Sequence, residues 1–336
     1  MELRSFLLNS ISPKVFYKNI LGLDEGNVIC PFHKDTNPSL NVRDDGSAYC
    51  YGCRRSWRNI IDFYMQYKKV SFSGALYQLY NDFIEPIVPR KLYLTLYSQL
   101  RKGSKPYKWL QHRGIGSRTI TRFLLGYDKY HNKITLPIFN EFGYCVNIRC
   151  FSYTEEDRKK FKVFNFKKGY GKSRLFPMLS LFHKEVYVFE GEMDTLLALH
   201  LGLNGITVTG GSYSWRREFS ALFKDKIVYI CYDNDKAGIA GSRIVAKELT
   251  NIADKVYNVL IPEKFGKDFT DYMRHRPIEA FLNLVSSARV INKMDLKDIE
   301  KLKDVDNYIQ EETMIADLKP GKNRLHIIVQ IEPDEK

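Results

Sequence analysis

Short apolar runs and amphipathic stretches alternate along the second half of the chain, between residues 184 and 261. The apolar runs are too short for helices and favour buried strands, whereas the amphipathic stretches have helical spacing. Strands and helices that alternate at this spacing are typical of an open parallel sheet with helices on its faces. The predicted strands cover residues 185–189, 205–208, 226–231 and 255–261, and the predicted helices cover residues 193–201, 215–223 and 239–249.

The first half of the chain has a less regular pattern. A cysteine-bearing segment is followed by two helical patterns, near residues 57–67 and 73–83, and then by a proline-bracketed linker. The region after the linker mixes a helical pattern near 107–125 with strand-like runs near 133–138 and 144–151. We therefore predict a small N-terminal domain and a separate α+β region before the parallel sheet.

Positive charge is concentrated in that middle region. Residues 86–175 contain 20 Lys and Arg against 5 Asp and Glu, an excess larger than the formal net charge of +13 of the whole chain. Aromatic residues, among them Tyr107, Trp109 and Phe123, are interleaved with the basic ones. This combination favours a nucleic-acid surface, and the alternative is a soluble domain with evenly scattered charge.

Four potential metal ligands form two matched pairs, Cys30-Pro-Phe-His33 and Cys50-Tyr-Gly-Cys53. Each pair can form a tight knuckle, and two knuckles can converge on one tetrahedral ion. Sulfur and imidazole ligands favour Zn²⁺ over Mg²⁺ or Ca²⁺. The residues between the pairs predict a hairpin, so we predict a zinc ribbon whose Zn²⁺ is structural; the alternative is four unligated side chains.

Carboxylates follow two of the predicted parallel strands. Glu190 and Asp194 come after the first strand, and Asp233 and Asp235 come after the third. The carboxyl ends of parallel strands form the ligand crevice of an open sheet, and acids that converge there repel one another unless a cation intervenes. Mg²⁺ or Mn²⁺ bound there could stabilise nucleotidyl transfer. The alternative is helix capping, which we favour for Glu192.

In this order and spacing, these motifs resemble those of the DnaG-type DNA primases, whose catalytic core has the toprim fold. The similarity covers about residues 28–275, and the length and architecture are similar to those of stand-alone primases of T4-like phages. The motifs that carry the resemblance are the two cysteine pairs, Arg113-Gly-Ile115, Glu190-Gly-Glu-Met-Asp194, Asp233-Asn-Asp235 and Lys267-Asp268-Phe-Thr-Asp271.

The resemblance implies an α/β fold in four parts. These are a zinc-binding domain (1–85, zinc ribbon plus helices), the basic N-terminal part of an RNA polymerase domain with mixed α+β structure (92–183), a toprim catalytic domain with a central parallel sheet (184–275) and a helical, charged C-terminal tail (276–336) that is a candidate for partner binding.

The resemblance also implies roles for individual residues. Glu190 would be an acid/base residue or a carboxylate that organises metal, and Asp233, Asp235, Asp268 and Asp194 would hold Mg²⁺ or Mn²⁺. Template or nucleotide contacts would come from Arg113, Arg149, Lys162, Asn165 and one of Lys168 and Lys172, between which the spacing does not decide. For each single basic residue, a solvated surface role is the alternative.

The implied function is the synthesis of short RNA primers from ribonucleoside triphosphates on a single-stranded DNA template during replication. A replicative helicase is the expected partner, no membrane is involved, and the expected location is the cytoplasm, or the host cytoplasm for a viral protein. The alternatives are a toprim nuclease or topoisomerase-like enzyme and a non-catalytic replisome adaptor.

The sequence departs from the family pattern in three places. Residues 54–59 are basic where the family usually has glycines and an acid, and Thr270 stands where many bacterial members have a second aspartate. The tail is shorter than the family's helicase-binding bundle. We therefore expect one metal to be held less fully, and the contact with the helicase stays open.

Overall fold

The computed structural model describes residues 2–22, 27–160, 162–167 and 170–291. The chain divides into two compact units, with the division between Ile87 and Val88. Of the tail predicted at 276–336, residues 292–336 lie outside the described residues. Among the described helices, none has the length and hydropathy needed to cross a bilayer.

Unit 1 combines a small antiparallel sheet with helices, and the predicted hairpin between the cysteine pairs is present. Strands β1 and β2 form this hairpin, and β3 extends the sheet in the order β1-β2-β3. The elements are α1 (Leu3–Ser10), α2 (Pro13–Leu21), β1 (Leu40–Val42), β2 (Ala48–Cys50), β3 (Ser56–Trp57), α3 (Ile60–Lys68) and α4 (Phe72–Phe83).

Aromatic rings form much of the core of unit 1. The ring of Phe32, which lies between two of the predicted zinc ligands, stacks on Trp57 at 4.7 Å and meets Phe63 edge-on at 5.3 Å. The helix predicted near residues 57–67 begins only at Ile60, because the Asn59 side chain accepts hydrogen bonds from two backbone N–H groups of the first turn. Trp57 therefore precedes the helix, belongs to β3 and stacks on Phe32.

The basic part of unit 2 is an antiparallel sheet with helices, and its strands follow the order β4-β5-β6-β7. The helical pattern near 107–125 is split into two helices, because Gly114 adopts a left-handed conformation with φ of 79°. A Cβ atom at Gly114 would also lie 2.7 Å from the side chain of Leu197. The elements are α5 (Arg90–Gln99), α6 (Lys105–His112), α7 (Ser117–Arg122), β4 (Gly126–Asp128), β5 (Lys133–Phe139), β6 (Cys145–Phe151), α8 (Glu155–Lys160) and β7 (Val163–Asn165).

The rest of unit 2 is built on a six-stranded sheet with the order β13-β12-β11-β9-β10-β8. The four inner strands are parallel, as the sequence pattern predicts, and the two edge strands are antiparallel additions. The elements are β8 (Leu175–Phe176), β9 (Glu185–Phe189), α9 (Glu192–His200), β10 (Gly205–Val208), α10 (Arg217–Ser220), β11 (Ile227–Cys231), α11 (Lys236–Leu249), β12 (Lys255–Asn258), α12 (Phe269–His275), α13 (Ile278–Ser287) and β13 (Arg289–Val290).

Both faces of this sheet are covered, which explains the uninterrupted apolar run of β9. Val186 and Val188 pack into the core on the side of α10 and α11, and Tyr187 and Phe189 pack into the core on the side of α9, α12 and α13. The predicted helix at 215–223 starts later, at Arg217, and tightens into a 3₁₀ turn at its end. Because the inner strands run in one direction, β9 and β11 end at the same edge of the sheet.

Candidate functional site

The four predicted zinc ligands in unit 1 lie together. Their ligand atoms all fall within 4.8 Å of one another, with the Sγ atoms of Cys30 and Cys53 4.0 Å apart and Cys50 Sγ 3.9 Å from His33 Nδ1. Ligands at about 2.3 Å from a tetrahedral ion are separated by about 3.8 Å, so the set fits zinc. Burial raises the pKa of the Cys50 thiol, but a hydrogen bond from the Cys53 N–H and further hydrogen bonds outweigh burial and lower this pKa to about 6.

Asp35 organises the cluster from outside, and the sequence did not single it out. Its carboxylate accepts hydrogen bonds from the Cys30 N–H at 2.8 Å and the Ser39 hydroxyl at 2.6 Å, and it lies 3.6 Å from His33 Nε2. A carboxylate that faces the second nitrogen of a ligand histidine fixes the orientation of the ring. Gly52 leaves room for that ring, since a Cβ atom there would lie 2.6 Å from His33 Nε2.

The carboxylates predicted to meet in unit 2 line one cleft with a volume of about 640 Å³. Glu190 lies at the end of β9, and Asp233 lies just beyond the end of β11. The members of this acidic cluster are Glu190, Asp194, Asp233, Asp235 and Asp268. The sheet therefore brings together acids that are far apart in the sequence.

Glu190 and Asp233 are partly buried members of the acidic cluster. Burial raises the pKa of Glu190, and burial together with the charges of Glu190 and Asp194 raises the pKa of Asp233 to about 8. Glu190 Oε1 accepts a hydrogen bond from Ser212 at 2.6 Å, whereas its Oε2 is buried and has no hydrogen-bond partner within the described residues. A buried carboxylate oxygen without a partner is costly. Hard divalent cations favour such oxygen ligands, so the cluster fits one.

Helix capping accounts for only part of the acidic cluster. Asp235 Oδ1 accepts from the Gly238 N–H at the start of α11, and Asp268 Oδ1 accepts from the Asp271 N–H at the start of α12. Asp235 also has its second oxygen in the cleft, 3.0 Å from Lys267 Nζ. Neither Glu190 nor Asp233 caps a helix among the described elements. For these two residues, the capping alternative is wrong.

Lys267 Nζ bridges the two aspartates, 3.1 Å from Asp233 Oδ2 and 3.0 Å from Asp235 Oδ2. Burial works to lower the pKa of Lys267, but the two carboxylates outweigh burial and raise it. The ammonium group thus supplies positive charge where converging carboxylates require it. Lys267 is the first residue of the Lys267-Asp268-Phe-Thr-Asp271 motif, but its place in that motif did not predict this contact.

Thr270 connects the acidic cluster to the basic side of the cleft. Its N–H and its hydroxyl both donate to Asp194 Oδ1, and Arg113 Nη2 donates to its hydroxyl oxygen at 3.4 Å. Asp194 therefore has one oxygen fixed by Thr270. A hydroxyl at position 270 acts here as a hydrogen-bond donor and acceptor between two charged side chains.

The predicted phosphate ligands fall into different environments. Arg149 lines the cleft but is buried, with Nε 2.7 Å from Glu192 Oε1 and Nη1 2.8 Å from Asn165 Oδ1. Glu192 thus serves mainly as the ion-pair partner of Arg149, although it is also the first residue of α9. Asn165 supports Arg149 in turn and is itself buried. These three side chains form a buried polar network at the wall of the cleft.

The remaining basic candidates are lysines and Arg113. Lys162 and Arg113 line the cleft. Lys172 is exposed and is not among the residues that line the cleft. Lys168 lies outside the described residues. Trp109, Arg158 and Lys159 also line the cleft, although the sequence did not identify them as site residues.

Proton competition predicts that metal binding depends on pH. The pKa of Asp233 is raised from 3.8 to about 8, so below about pH 8 a cation must displace a proton. We expect the affinity for Mn²⁺ to rise about tenfold per pH unit between about pH 6 and pH 8 and to level off above, as isothermal titration calorimetry can measure. The stability of the metal-free fold follows the opposite trend. The folded chain binds this proton more tightly than the unfolded chain does, so the free energy of unfolding decreases as pH rises from about 4 to 8. An affinity that does not change with pH would contradict the assignment of Asp233 as a ligand.

Substitution of Lys267 tests whether its ammonium group and a cation compete for the same oxygens. Because a half-exposed ion pair contributes about 1 kcal/mol, we expect Lys267→Met to increase Mn²⁺ affinity about fivefold. Lys264→Met is the matched control. The Lys264 ammonium lies over the ring of Phe265, and Lys264 is not among the residues that line the cleft. Unchanged or weaker Mn²⁺ binding in Lys267→Met would show that the two cations do not compete.

Two protein families match parts of the sequence. Residues 24–88 match the CHC2 zinc finger family, and residues 187–273 match the Toprim-like family. These segments contain the four zinc ligands and the acidic cluster, respectively. Unit 1 therefore contains a zinc ribbon with a structural zinc site, and unit 2 contains a toprim domain with a site for a divalent cation.

Curated relatives and solved structures agree with these matches. The DNA primases of Lactococcus lactis and Clostridium acetobutylicum are both 26% identical to the chain, over 94% and 84% of its length. The chain spans only 56% and 60% of these two relatives. The zinc-binding and RNA polymerase domains of the Aquifex aeolicus primase share the fold, with a TM-score of 0.50 and 19% identity over 97% of this chain and 95% of that chain.

Proposed function

We propose that this chain, which carries the zinc ribbon and the toprim domain of DnaG-type primases, is a DNA primase that synthesises short RNA primers on single-stranded DNA. The observation that carries the proposal is the convergence of Glu190, Asp233 and Asp235 at one cleft, beside the basic residues Arg113 and Lys162. Acids that bind a cation next to bases that bind phosphate are what nucleotidyl transfer requires. The cleft volume of about 640 Å³ leaves room for a nucleotide.

The acidic cluster would hold Mg²⁺ or Mn²⁺ through Asp233, Asp235 and Asp268. When bound, the cation would neutralise negative charge that develops on the α-phosphate during attack by the primer 3′-hydroxyl. Because burial raises the pKa of Glu190, its unpaired Oε2 can accept the proton of that hydroxyl. Ser212 holds the opposite oxygen and so fixes the direction of Oε2. Gly238 allows this approach, because a Cβ atom there would lie 2.7 Å from Glu190 Oε2 and would also collide with the Asp233 carbonyl.

Substrate binding would use the basic wall of the cleft. Arg113 and Lys162 would contact nucleotide or template phosphates directly, since both are accessible from the cleft. Arg149 would keep its Glu192 partner and present only its remaining N–H groups. Roles for Lys168 and Lys172 stay predictions. The zinc ribbon would help to select the start site on the template.

The cellular setting is part of the same proposal. We place the protein in the cytoplasm, where reducing conditions keep its cysteines free. A replicative helicase as partner, and a closer kinship to stand-alone phage primases, stay predictions that rest on the resemblance alone. Single-stranded DNA and ribonucleoside triphosphates are the proposed substrates.

A primer-synthesis assay tests the function directly. The zinc-loaded chain is incubated with single-stranded DNA templates of varied trinucleotide content, Mg²⁺ and labelled ribonucleoside triphosphates. We expect short RNA products that depend on the template. Cleaved DNA without RNA would instead support the nuclease alternative, and DNA binding without any product would support the adaptor alternative.

A further inference from the structure

Helix α8 brings a second arginine, Arg158, into the cleft beside the ring that Arg113 also contacts. The guanidinium carbon of Arg113 lies 5.0 Å from the centroid of the Trp109 ring, and that of Arg158 lies 5.9 Å from the same centroid. All three side chains line the cleft that contains the acidic cluster. The half-buried indole ring of Trp109 therefore contacts two guanidinium groups, so two positive charges lie close together.

Two contacts anchor the start of helix α8, which carries Arg158. The Thr154 hydroxyl accepts the Asp157 N–H at the start of α8, and the Asp157 carboxylate pairs with Lys133 Nζ at 3.0 Å. The Lys133 side chain is only 14% exposed and belongs to β5, so this ion pair ties α8 to the antiparallel sheet. The next residue in the helix, Arg158, is thereby directed toward Trp109.

Among the described residues, neither guanidinium group of the pair has a carboxylate within salt-bridge distance. Within the same residues, Arg113 Nε is buried without any hydrogen-bond acceptor. Burial lowers the pKa of Arg158, and the charge of Arg113 lowers it further. Two neighbouring, partly desolvated cations with open donors favour a multiply charged anion as their ligand.

The neighbouring carboxylate indicates which anion this is. Asp268 is close enough to act on the charges of both Arg113 and Arg158, so the arginine pair directly adjoins the acidic cluster. A polyphosphate whose α-phosphate lies at a cation on the acidic cluster would place its distal phosphates toward the arginines. A single DNA phosphodiester carries one negative charge, so it matches two guanidinium groups less well than a polyphosphate does.

We propose that Arg158, together with Arg113 and Trp109, forms a subsite for the β- and γ-phosphates of the incoming nucleoside triphosphate. Arg158 is then a specificity-determining residue that favours triphosphates over monophosphates. This inference rests on the proposed function, because it places the nucleotide in the same cleft. It assigns a role in nucleotide binding to α8, a helix that lies outside all the motifs named from the sequence.

Binding of Mg·ATP and Mg·AMP to the zinc-loaded full chain tests the subsite. Tryptophan fluorescence reports on binding, because Trp109 lies in the cleft whereas Trp57 and Trp215 are buried. We expect Arg158→Gln to raise the Kd of Mg·ATP at least about tenfold and to change the Kd of Mg·AMP less than about twofold. Arg158→Lys keeps the positive charge but not the planar guanidinium group with its several N–H donors. We expect its ATP affinity to lie between those of the wild type and Arg158→Gln.

Arg122→Gln is the matched control. Arg122 also lies over an aromatic ring, 5.7 Å from the Phe123 centroid, but it is exposed and is not among the residues that line the cleft. We expect it to bind both nucleotides as the wild type does. Calorimetric titration of each variant with the same nucleotides gives the affinities independently of fluorescence.

Three outcomes would overturn the subsite. ATP affinity in Arg158→Gln could stay at the wild-type value, it could fall equally for ATP and AMP, or only the affinity for a single-stranded oligothymidine could fall, which would assign Arg158 to the template. The proposed function fails separately, when the wild-type chain binds Mg·ATP through Arg158 but makes no RNA. If RNA is made and Arg158→Gln binds Mg·ATP normally, only the subsite fails.

Discussion

Asp233→Asn is expected to reduce primer synthesis at least about 1000-fold, which corresponds to about 4 kcal/mol of transition-state stabilisation. The amide has nearly the same shape as the carboxylate but lacks the charge that holds a divalent cation. The measurement is the yield of labelled RNA per unit time on a single-stranded template. Mn²⁺ affinity should fall in the same variant, since the two readouts depend on one side chain.

Stability separates a catalytic role of Asp233 from a structural one. Because burial and neighbouring acids raise its pKa to about 8, the charged form is unfavourable in the metal-free fold. Asp233→Asn should therefore unfold at a temperature no lower than that of the wild type at about pH 8 in the absence of metal. Asp254→Asn is the matched control, because Asp254 is a surface acid paired with Lys184. Retention of more than a tenth of the activity in Asp233→Asn would refute the assigned role.

Cys50→Ser is expected to abolish zinc binding and to unfold the ribbon of unit 1. Zinc contributes about 10–16 kcal/mol of folding free energy in zinc-finger peptides, and a missing thiolate leaves the tetrahedral set incomplete. Zinc content, measured by atomic absorption, should fall from one ion per chain to nearly none. Primer synthesis should fall with it, whereas unit 2 should keep its own unfolding transition.

Cys145→Ser is the control for that experiment. Cys145 is buried in β6, where its thiol donates to the Asn147 carbonyl at 3.3 Å, and a serine hydroxyl can make the same bond. We expect this variant to keep its zinc. A full zinc content in Cys50→Ser would mean that the ligand assignment is wrong.

The sequence predicted features that depend on local spacing. The two cysteine pairs specified the metal cluster, because ligands two residues apart can form a knuckle without help from the rest of the fold. The inner strands of the toprim sheet were predicted because strands buried on both faces leave a short, uninterrupted apolar run such as Glu185–Phe189. The edge strands β8 and β13, each two residues long, leave no such signal.

Contacts between distant segments could not be predicted in this way. Lys267 reaches Asp233 and Asp235 across 34 and 32 residues of sequence, and Arg149 reaches Glu192 across 43. Arg158 was missed because it lies in a charged run that has the composition of a solvated helix. Which member of such a run enters a cleft depends on how its helix is anchored, here by the ion pair of Asp157 with Lys133.

Anomalous diffraction from crystals soaked in Mn²⁺ shows whether the acidic cluster binds a divalent cation. We expect a peak at about 2.0–2.3 Å from oxygens of Asp233 and Asp235, with Lys267 Nζ moved away from both. If there is no peak at these carboxylates and Lys267 still bridges them in saturating Mn²⁺, the acidic cluster is not a cation site.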